Sequence, residues 1–390
     1  MDCIVCGSYT TMSIFKPEPQ PLVALNLPTS YLDAVSAPRF EMDWVLCQSC
    51  GHVFNAKFNY ANIPYINEPN LMFNGGVAWN RVIDNEIDKH FSILANGVVV
   101  DIGCGAGEFL EAVYAKTGNN YLYGFEPGPD AQIKHPFKVI QALFTARHGE
   151  QLKPSTITCR NVLEHVPNPR QFLDEIIASC SNLLVEVPCF DNALREGRIT
   201  DFLYEHNSNF SSKSLYELLS RVGIWWPYVY STYNKEVLVG HGTVNNSSKI
   251  TSHFNHHCLT NVGIGFSIKA AKSLERIPEQ INDLRMPVIW GGTGKGAAFI
   301  NYYKPKIMAV VDSDTRKQGK FVPGTGNYIQ APSFLNKSNS WDIIIPSYWR
   351  VSDILAEIKQ LGIEHNKILA TRNAADFEWV ENLRVINPLL

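Results

Sequence analysis

The residues with chemistry to offer begin at position 98, where the chain reads V-V-V-D-I-G-C-G-A-G-E-F through position 109. An apolar run that ends in an acid and a glycine-rich turn is the pattern of a buried parallel strand whose carboxyl end feeds a ligand crevice before a helix opens. Asp101, Gly103, Cys104, Gly105 and Gly107 are therefore candidate cofactor residues, the glycines letting a ligand come close to the backbone. The acid precedes the first glycine, and the G-x-G-x-x-G spacing that seats a pyrophosphate is not met. A cationic cofactor without a pyrophosphate tolerates an acid here better than a dinucleotide would. A second strand is predicted over 121–126, ending in Glu126 and followed by Pro127, and a carboxylate at that strand end accepts hydrogen bonds from ribose hydroxyls.

Two further constellations stand out. Cys3, Cys6, Cys47 and Cys50 form two C-x-x-C knuckles, a spacing that lets both thiolates of each face one tetrahedral ion, so the two complete a Cys₄ structural zinc site. Unligated thiols or a redox pair are the alternative. His52, just beyond, reads as a surface histidine because four thiolates already fill the shell. Downstream, Tyr204, Glu205 and His206 set a phenol, a carboxylate and an imidazole in consecutive positions, ahead of a helix that Ser211 and Ser212 are suited to cap. Taken alone, that cluster is a hydrogen-bonded capping group, since most histidines are not catalytic.

The elements that must position these groups divide the chain into three expected domains, 1–75, 76–240 and 241–390, in keeping with 390 residues at ~100 to 200 per domain. Hydrophobic content of 45% against 18% charged describes a globular chain with a sizeable core, not a disordered one. A net charge of -3 gives no footprint for nucleic acid. No apolar stretch approaches the ~18 residues of a membrane span and no leader pattern opens the chain, so the expected location is the cytoplasm. Nine cysteines there argue for metal or reduced thiols over disulfides.

Helices are predicted over 77–94, 109–116 and from Ser211 onward, and strands over 137–140, 156–160 and 183–188; the polar, aromatic stretch 60–80 reads as a linker or as a loop across a neighbouring site. The last third carries a helix over 251–272, with His253, His256 and His257 on a solvated or interdomain face, then strands over 287–290, 306–311, 342–345 and 367–370 and a helix over 351–361. This is a second α/β unit. Its turn, Gly291-Gly292-Thr293-Gly294-Lys295-Gly296, lacks the spacing and terminal Ser or Thr of a P-loop. Asp312, after the next strand, mimics a ribose acid and leaves a pyridine-nucleotide site as the alternative; Lys295 or Arg316 is placed to meet a phosphate.

Asp101 to Gly107 resembles motif I of the class I S-adenosylmethionine-dependent methyltransferases, and residues 161–169 resemble the loop that closes over the cofactor in that class. The resemblance puts Asn161, Leu163 and His165 on the cofactor side, with Glu164, and sets Leu143 and Phe144 where an adenine is contacted. With the cysteine knuckles and with Tyr204-Glu205-His206 ahead of Phe210-Ser211, nearly the whole chain resembles the three-domain C-methyltransferases that act on nucleotide-linked deoxysugars. It departs at Asn209, where that family commonly has tyrosine, and at 71–74, which lack its tyrosine- and serine-rich stretch.

The resemblance implies an α/β fold: a class I methyltransferase doubly wound sheet, an N-terminal zinc-binding module and a C-terminal Rossmann-like domain that shapes the substrate without a second cofactor. It implies S-adenosyl-L-methionine and structural zinc as cofactors and a nucleotide-sugar substrate, with His206 the general base. Tyr204 would donate to the enolate oxygen and Glu205 would orient or assist the base. The alternatives are O- or N-methylation of another small molecule, and a non-catalytic subunit that binds nucleotide sugars.

Overall fold

The protein is described by a computed structural model, which covers all residues except 26, 69–74, 133–134, 246–258, 338–339, 372–376 and 380–390. The first strands are Thr11–Phe15 (β1), Gln20–Pro21 (β2), Arg39–Phe40 (β3), Trp44–Cys47 (β4) and Val53–Asn55 (β5), with the short helix Tyr31–Val35 (α1) capped by Ser30. β2 and β3 pair as a ribbon. β1, β4 and β5 form an antiparallel sheet whose fourth strand, Ser208–Asn209, arrives from far along the chain.

Helices Val77–Lys89 (α2) and Phe91–Leu94 (α3) lead into Val99–Ile102 (β6), Glu108–Thr117 (α4), Leu122–Phe125 (β7), Lys138–Ile140 (β8), Ala146–Leu152 (α5) and Thr156–Arg160 (β9). Pro169–Ile177 (α6), Asn182–Pro188 (β10), Asp191–Glu196 (α7), Ser208–Asn209 (β11), Ser212–Val222 (α8), Ile224–Thr232 (β12) and Val237–Val244 (β13) follow. The sheet order is β12-β13-β10-β9-β6-β7-β8, parallel except that β13 runs against both neighbours. All four residues of β6 are buried, so its apolar run up to Asp101 does not alternate. The strand order reverses between β6 and β9, and a doubly wound sheet opens its ligand crevice at the carboxyl ends there.

β13 continues to Val244, past the domain boundary expected at 240. Its glycines look like linker, yet they are packing positions: a Cβ on Gly240 would lie 2.7 Å from Leu219 Cδ1, and one on Gly242 2.4 Å from Ile224 Cγ2. The last third begins with Thr260–Asn282 (α9), followed by Pro287–Trp290 (β14), Lys295–Tyr303 (α10), Ala309–Val311 (β15), Ile329–Gln330 (β16), Asp342–Ile345 (β17), Val351–Gln360 (α11), Lys367–Thr371 (β18) and Phe377–Trp379 (β19). Its sheet, β16-β15-β14-β17-β18-β19, is parallel but for the last strand. α9 runs beyond the expected end at 272 because Phe266, Ala270, Ser273, Ile277 and Ile281 keep one face buried to its end. His253, His256 and His257 lie outside the described residues.

The three regions meet at Phe202, which is fully buried against Phe15, Trp44, Phe190 and Phe266 at ring distances of 5.2, 4.9, 5.0 and 5.2 Å. Tyr302 Oη donates to the Phe202 carbonyl at 2.6 Å, and Gly294 N donates to Val23 O at 2.9 Å. Residues 203–206 thus follow directly on a position fixed by all three. No helix among the described residues is long and apolar enough to cross a membrane.

Candidate active site

The glycine turn after β6 has left-handed φ at Gly103 (+70°), Gly105 (+54°) and Gly107 (+87°), angles that only glycine takes without strain. Gly103 N donates to Phe125 O at 2.7 Å, which ties the turn to the end of β7. Glu126, half-buried, takes Gly105 N at 3.0 Å on one carboxylate oxygen and Gly128 N at 2.7 Å on the other. A carboxylate so held, with a face toward solvent, stands where ribose hydroxyls are bound in such sheets. Asp101 does not face the crevice: it is buried under the turn, accepts from Thr158 Oγ1 at 2.6 Å, and burial raises its pKa to about 6.

Other expected cofactor residues sort differently. Cys104 is buried against Gly124, and Leu163 is fully buried in the sheet core, so neither side chain is presented to a ligand. Leu143 is exposed, and Phe144 packs edge-on against Phe125 at 5.1 Å. Pro127 sits half-buried beside Glu126. Asn161, itself left-handed at φ +52°, reaches Glu186 Oε1 with Nδ2 at 3.2 Å.

The loop after β9 is stitched to the Tyr204-Glu205-His206 stretch. Ser208 N donates to Glu164 O at 3.0 Å, and Asn207 Nδ2 donates to Val166 O and Pro167 O at 3.1 and 2.9 Å. The rings of His165 and His206 meet edge to face at 4.8 Å, and one polar atom each of Glu164, His165 and His206 lies within 4.8 Å of the others. Burial, then the neighbouring His165 and Lys295, holds His206 well below the ordinary imidazole value, and burial lowers His165 to about 4. Both rings are neutral at neutral pH, so each offers a basic nitrogen. Glu164, fully buried with Oε2 unpartnered, is raised to about 8 and carries its proton there.

The structure turns the two neighbours of His206 elsewhere. Tyr204 is a core phenol, stacked on Phe40 at 4.7 Å, its oxygen accepting from Asn59 N and Asn62 Nδ2 at 3.1 and 2.7 Å. Glu205 is fully buried and accepts from Val23 N and Ala24 N at 2.5 and 2.7 Å, pinning the N-terminal segment instead of orienting the base. Residues 203–206 form a turn closed by His206 N donating to Leu203 O at 3.1 Å, so the three consecutive side chains fan out and do not share one site. The phenol at the imidazoles is Tyr65, whose Oη lies 2.5 Å from His165 Nδ1 and donates to Glu205 O at 2.9 Å. Its signal was the aromatic stretch 60–80, legible as a loop across a site but not as this residue.

The four cysteine sulfurs gather as expected: Cys3 to Cys50 and Cys6 to Cys47 are 3.6 Å apart, and all four lie within 4.8 Å of one another. The knuckles share one turn. Cys3 N donates to Ser8 O at 2.9 Å as Cys47 N does to His52 O at 2.8 Å, and a left-handed glycine, Gly7 or Gly51, follows each pair. His52 is not on the surface; it is fully buried between Phe54 and Phe210, with Nε2 3.2 Å from Ser208 Oγ.

The second glycine turn is filled by its own protein. Asp312 is buried and accepts from Gly292 N and Asp314 N at 2.8 and 2.9 Å, with Lys317 against it at 3.7 Å. Unlike Glu126 it keeps no open face for a ribose. Lys295 is committed to Asp201 at 2.5 Å and lies 3.9 Å over the Trp349 ring, while Arg316 is forked onto Asp314, so neither stands ready for a phosphate.

Comparison with known proteins agrees with this geometry. Residues 80–224 match the family described as a methyltransferase domain. The chain is 23% identical over 372 residues to the C-methyltransferase NovU of Streptomyces niveus, spanning 85% of this chain and 86% of that protein. This chain is an S-adenosylmethionine-dependent methyltransferase. It is also 31% identical over 108 residues to a ubiquinone biosynthesis O-methyltransferase of Photobacterium profundum, covering 26% of this chain and 44% of that one. A methyltransferase structure from Archaeoglobus fulgidus aligns with a TM-score of 0.35 at 15% identity, over 42% of this chain and 93% of that one.

Space around the glycine turn is uneven. A Cβ on Gly103 would sit 2.2 Å from Val162 Cγ2, between the turn and the loop after β9, whereas one on Gly105 meets nothing within 4 Å. Gly103→Val should therefore abolish binding of S-adenosylhomocysteine in calorimetry. Gly105→Ala should cost only the left-handed backbone, about 1–2 kcal/mol, and still bind. Equal effects of the two substitutions would show that the turn does not contact the cofactor.

Proposed function

We propose that this methyltransferase places its methyl group on carbon, next to the carbonyl of a nucleotide-linked keto-deoxysugar. The observation that carries the reading is His206, a neutral imidazole at the edge of the crevice, in ring contact with a second neutral imidazole and stitched to the cofactor loop. Oxygen and nitrogen acceptors carry a lone pair and need little help; a carbon must first lose a proton, and a base of this kind answers that need. The likeness to the C-methyltransferase NovU over most of both chains supports the same reading.

His206 takes the proton alpha to the carbonyl, and the electron pair left behind forms the enolate. The cofactor, held at the glycine turn and Glu126, would supply an electrophilic methyl, which the enolate carbon would take in line as S-adenosylhomocysteine leaves. Tyr65, beside the imidazoles, takes the place expected of Tyr204 as the phenol near the enolate oxygen, and its bond to His165 fixes both rings. Glu205 and Tyr204 are positioning residues that hold the stretch against the N-terminal module.

Zinc fits the four thiolates, because Zn–S bonds of about 2.3 Å in a tetrahedron put sulfurs about 3.8 Å apart. Helix α10 of the C-terminal region, through Lys295 to Asp201 and Tyr302 to the Phe202 carbonyl, braces the same stretch from the other side. Incubation with S-adenosylmethionine and nucleotide-linked keto-deoxysugars, followed by NMR of the product, tests the assignment. A new methyl bonded to carbon is expected; a methyl on oxygen or nitrogen overturns it.

A further inference from the structure

We propose that Arg160 reads the amino-acid carboxylate of the cofactor, braced for that task by Glu186 and by two aromatic rings. Arg160 ends β9, next to β6 in register, at the point where the strand order reverses. A side chain leaving that strand end faces the crevice where a doubly wound sheet binds its ligand.

The guanidinium is held but not used up. Its Nη2 donates to both oxygens of Glu186, at 2.9 and 3.1 Å, and its carbon lies 4.2 Å over the Phe109 ring and 5.9 Å from the Trp79 ring. Phe109 stands in the first turn of α4, immediately after the glycine turn. Both bonds leave from Nη2, so the Nη1 hydrogens remain as donors for a second acceptor, and a charge-assisted bond from a guanidinium suits a carboxylate. Glu186 is nearly fully buried and also takes Asn161 Nδ2, which fixes the angle of the pair.

Charge complementarity points the same way. At these strand ends Asp101 is buried beneath the turn and Glu126 keeps a face toward solvent, while Arg160 supplies a guanidinium. S-adenosylmethionine brings a sulfonium, an ammonium and a carboxylate. A guanidinium suits the third of these.

The test separates the amino-acid end of the ligand from its nucleoside end and reads binding, not activity. Calorimetry would compare S-adenosylhomocysteine with 5′-methylthioadenosine, which lacks the amino acid, on the wild type, Arg160→Gln and Arg160→Lys. Arg160→Gln should weaken S-adenosylhomocysteine by roughly 10- to 100-fold, the range of a charge-assisted contact, and leave methylthioadenosine within about twofold. Arg160→Lys keeps the charge without the fork and should fall between, which keeps the proposal open to test if the glutamine variant does not fold. Equal weakening of both ligands, or none of either, overturns the role of Arg160. If methylthioadenosine fails to bind even the wild type, it is the assignment of the cofactor crevice, on which this inference rests, that has failed.

Discussion

His206→Asn should lower kcat by ~10² or more while leaving the affinity for S-adenosylhomocysteine within about twofold, the pattern of a lost general base. The separation is expected because the His206 ring packs against His165, whereas the glycine turn and Glu126 lie at the ends of β6 and β7. Asparagine keeps a polar group of similar size, so the ties of Asn207 and Ser208 to the loop after β9 should survive and the fold with them. The pH profile gives a second readout. A base acts in its neutral form, and His206 is held well below the usual imidazole value by burial, His165 and Lys295. The wild-type kcat/KM should therefore stay level through the neutral range and fall only at acid pH, as the ring takes up a proton. In the variant that acid limb should disappear. Solvent deuterium entering the alpha position of the substrate without methyl transfer, in the wild type but not in the variant, would report the proton step directly. Normal turnover in His206→Asn would end the assignment.

What the sequence shows of this protein follows the length scale of each signal. The parallel strands were legible because burial on both faces leaves a run such as Ile343 to Ile345 uninterrupted, and the glycine turn because its backbone angles admit few other residues. The four cysteines were legible because the two-residue spacing turns both sulfurs of each pair the same way, and all four gather within 4.8 Å. The hairpin β12–β13 was not, since Gly240 and Gly242 look like linker until Leu219 and Ile224 are seen against them. Tyr65 was missed for a similar reason: it sits 100 residues from His165, and nothing local marks which tyrosine of an aromatic loop crosses the site. Tyr204 and Glu205 were over-read because adjacency in sequence was taken as adjacency at the site. Their side chains diverge to Asn62 and to the amides of Val23 and Ala24.

On the proposed function, loss of the cysteine site should cost catalysis as well as stability, because the stretch that carries His206 is built onto the N-terminal sheet. β11, two residues past His206, is an edge strand of the N-terminal sheet through its pairing with β5. The second knuckle touches the start of α8 directly: Lys213 Nζ donates to Ser49 O at 2.9 Å and Ser211 Oγ to Gly51 O at 3.4 Å. His52, two residues beyond Cys50, meets Ser208. A structural zinc of this kind contributes on the order of 10 kcal/mol of apparent binding free energy, more than a small sheet of short strands can replace. Elemental analysis should find about one zinc per chain, and Cys47→Ser should lose it and lower Tm. Turnover should fall ~10-fold or more through loss of the His206 backbone frame, while binding of S-adenosylhomocysteine, which depends on β6, β7 and β9, should change far less. The contrast with His206→Asn lies in stability: that variant keeps Tm and loses the proton step, whereas the cysteine variant loses both. A chain that purifies free of zinc with undiminished Tm and turnover would show that the four thiols stand together without a metal and that the N-terminal sheet holds His206 unaided.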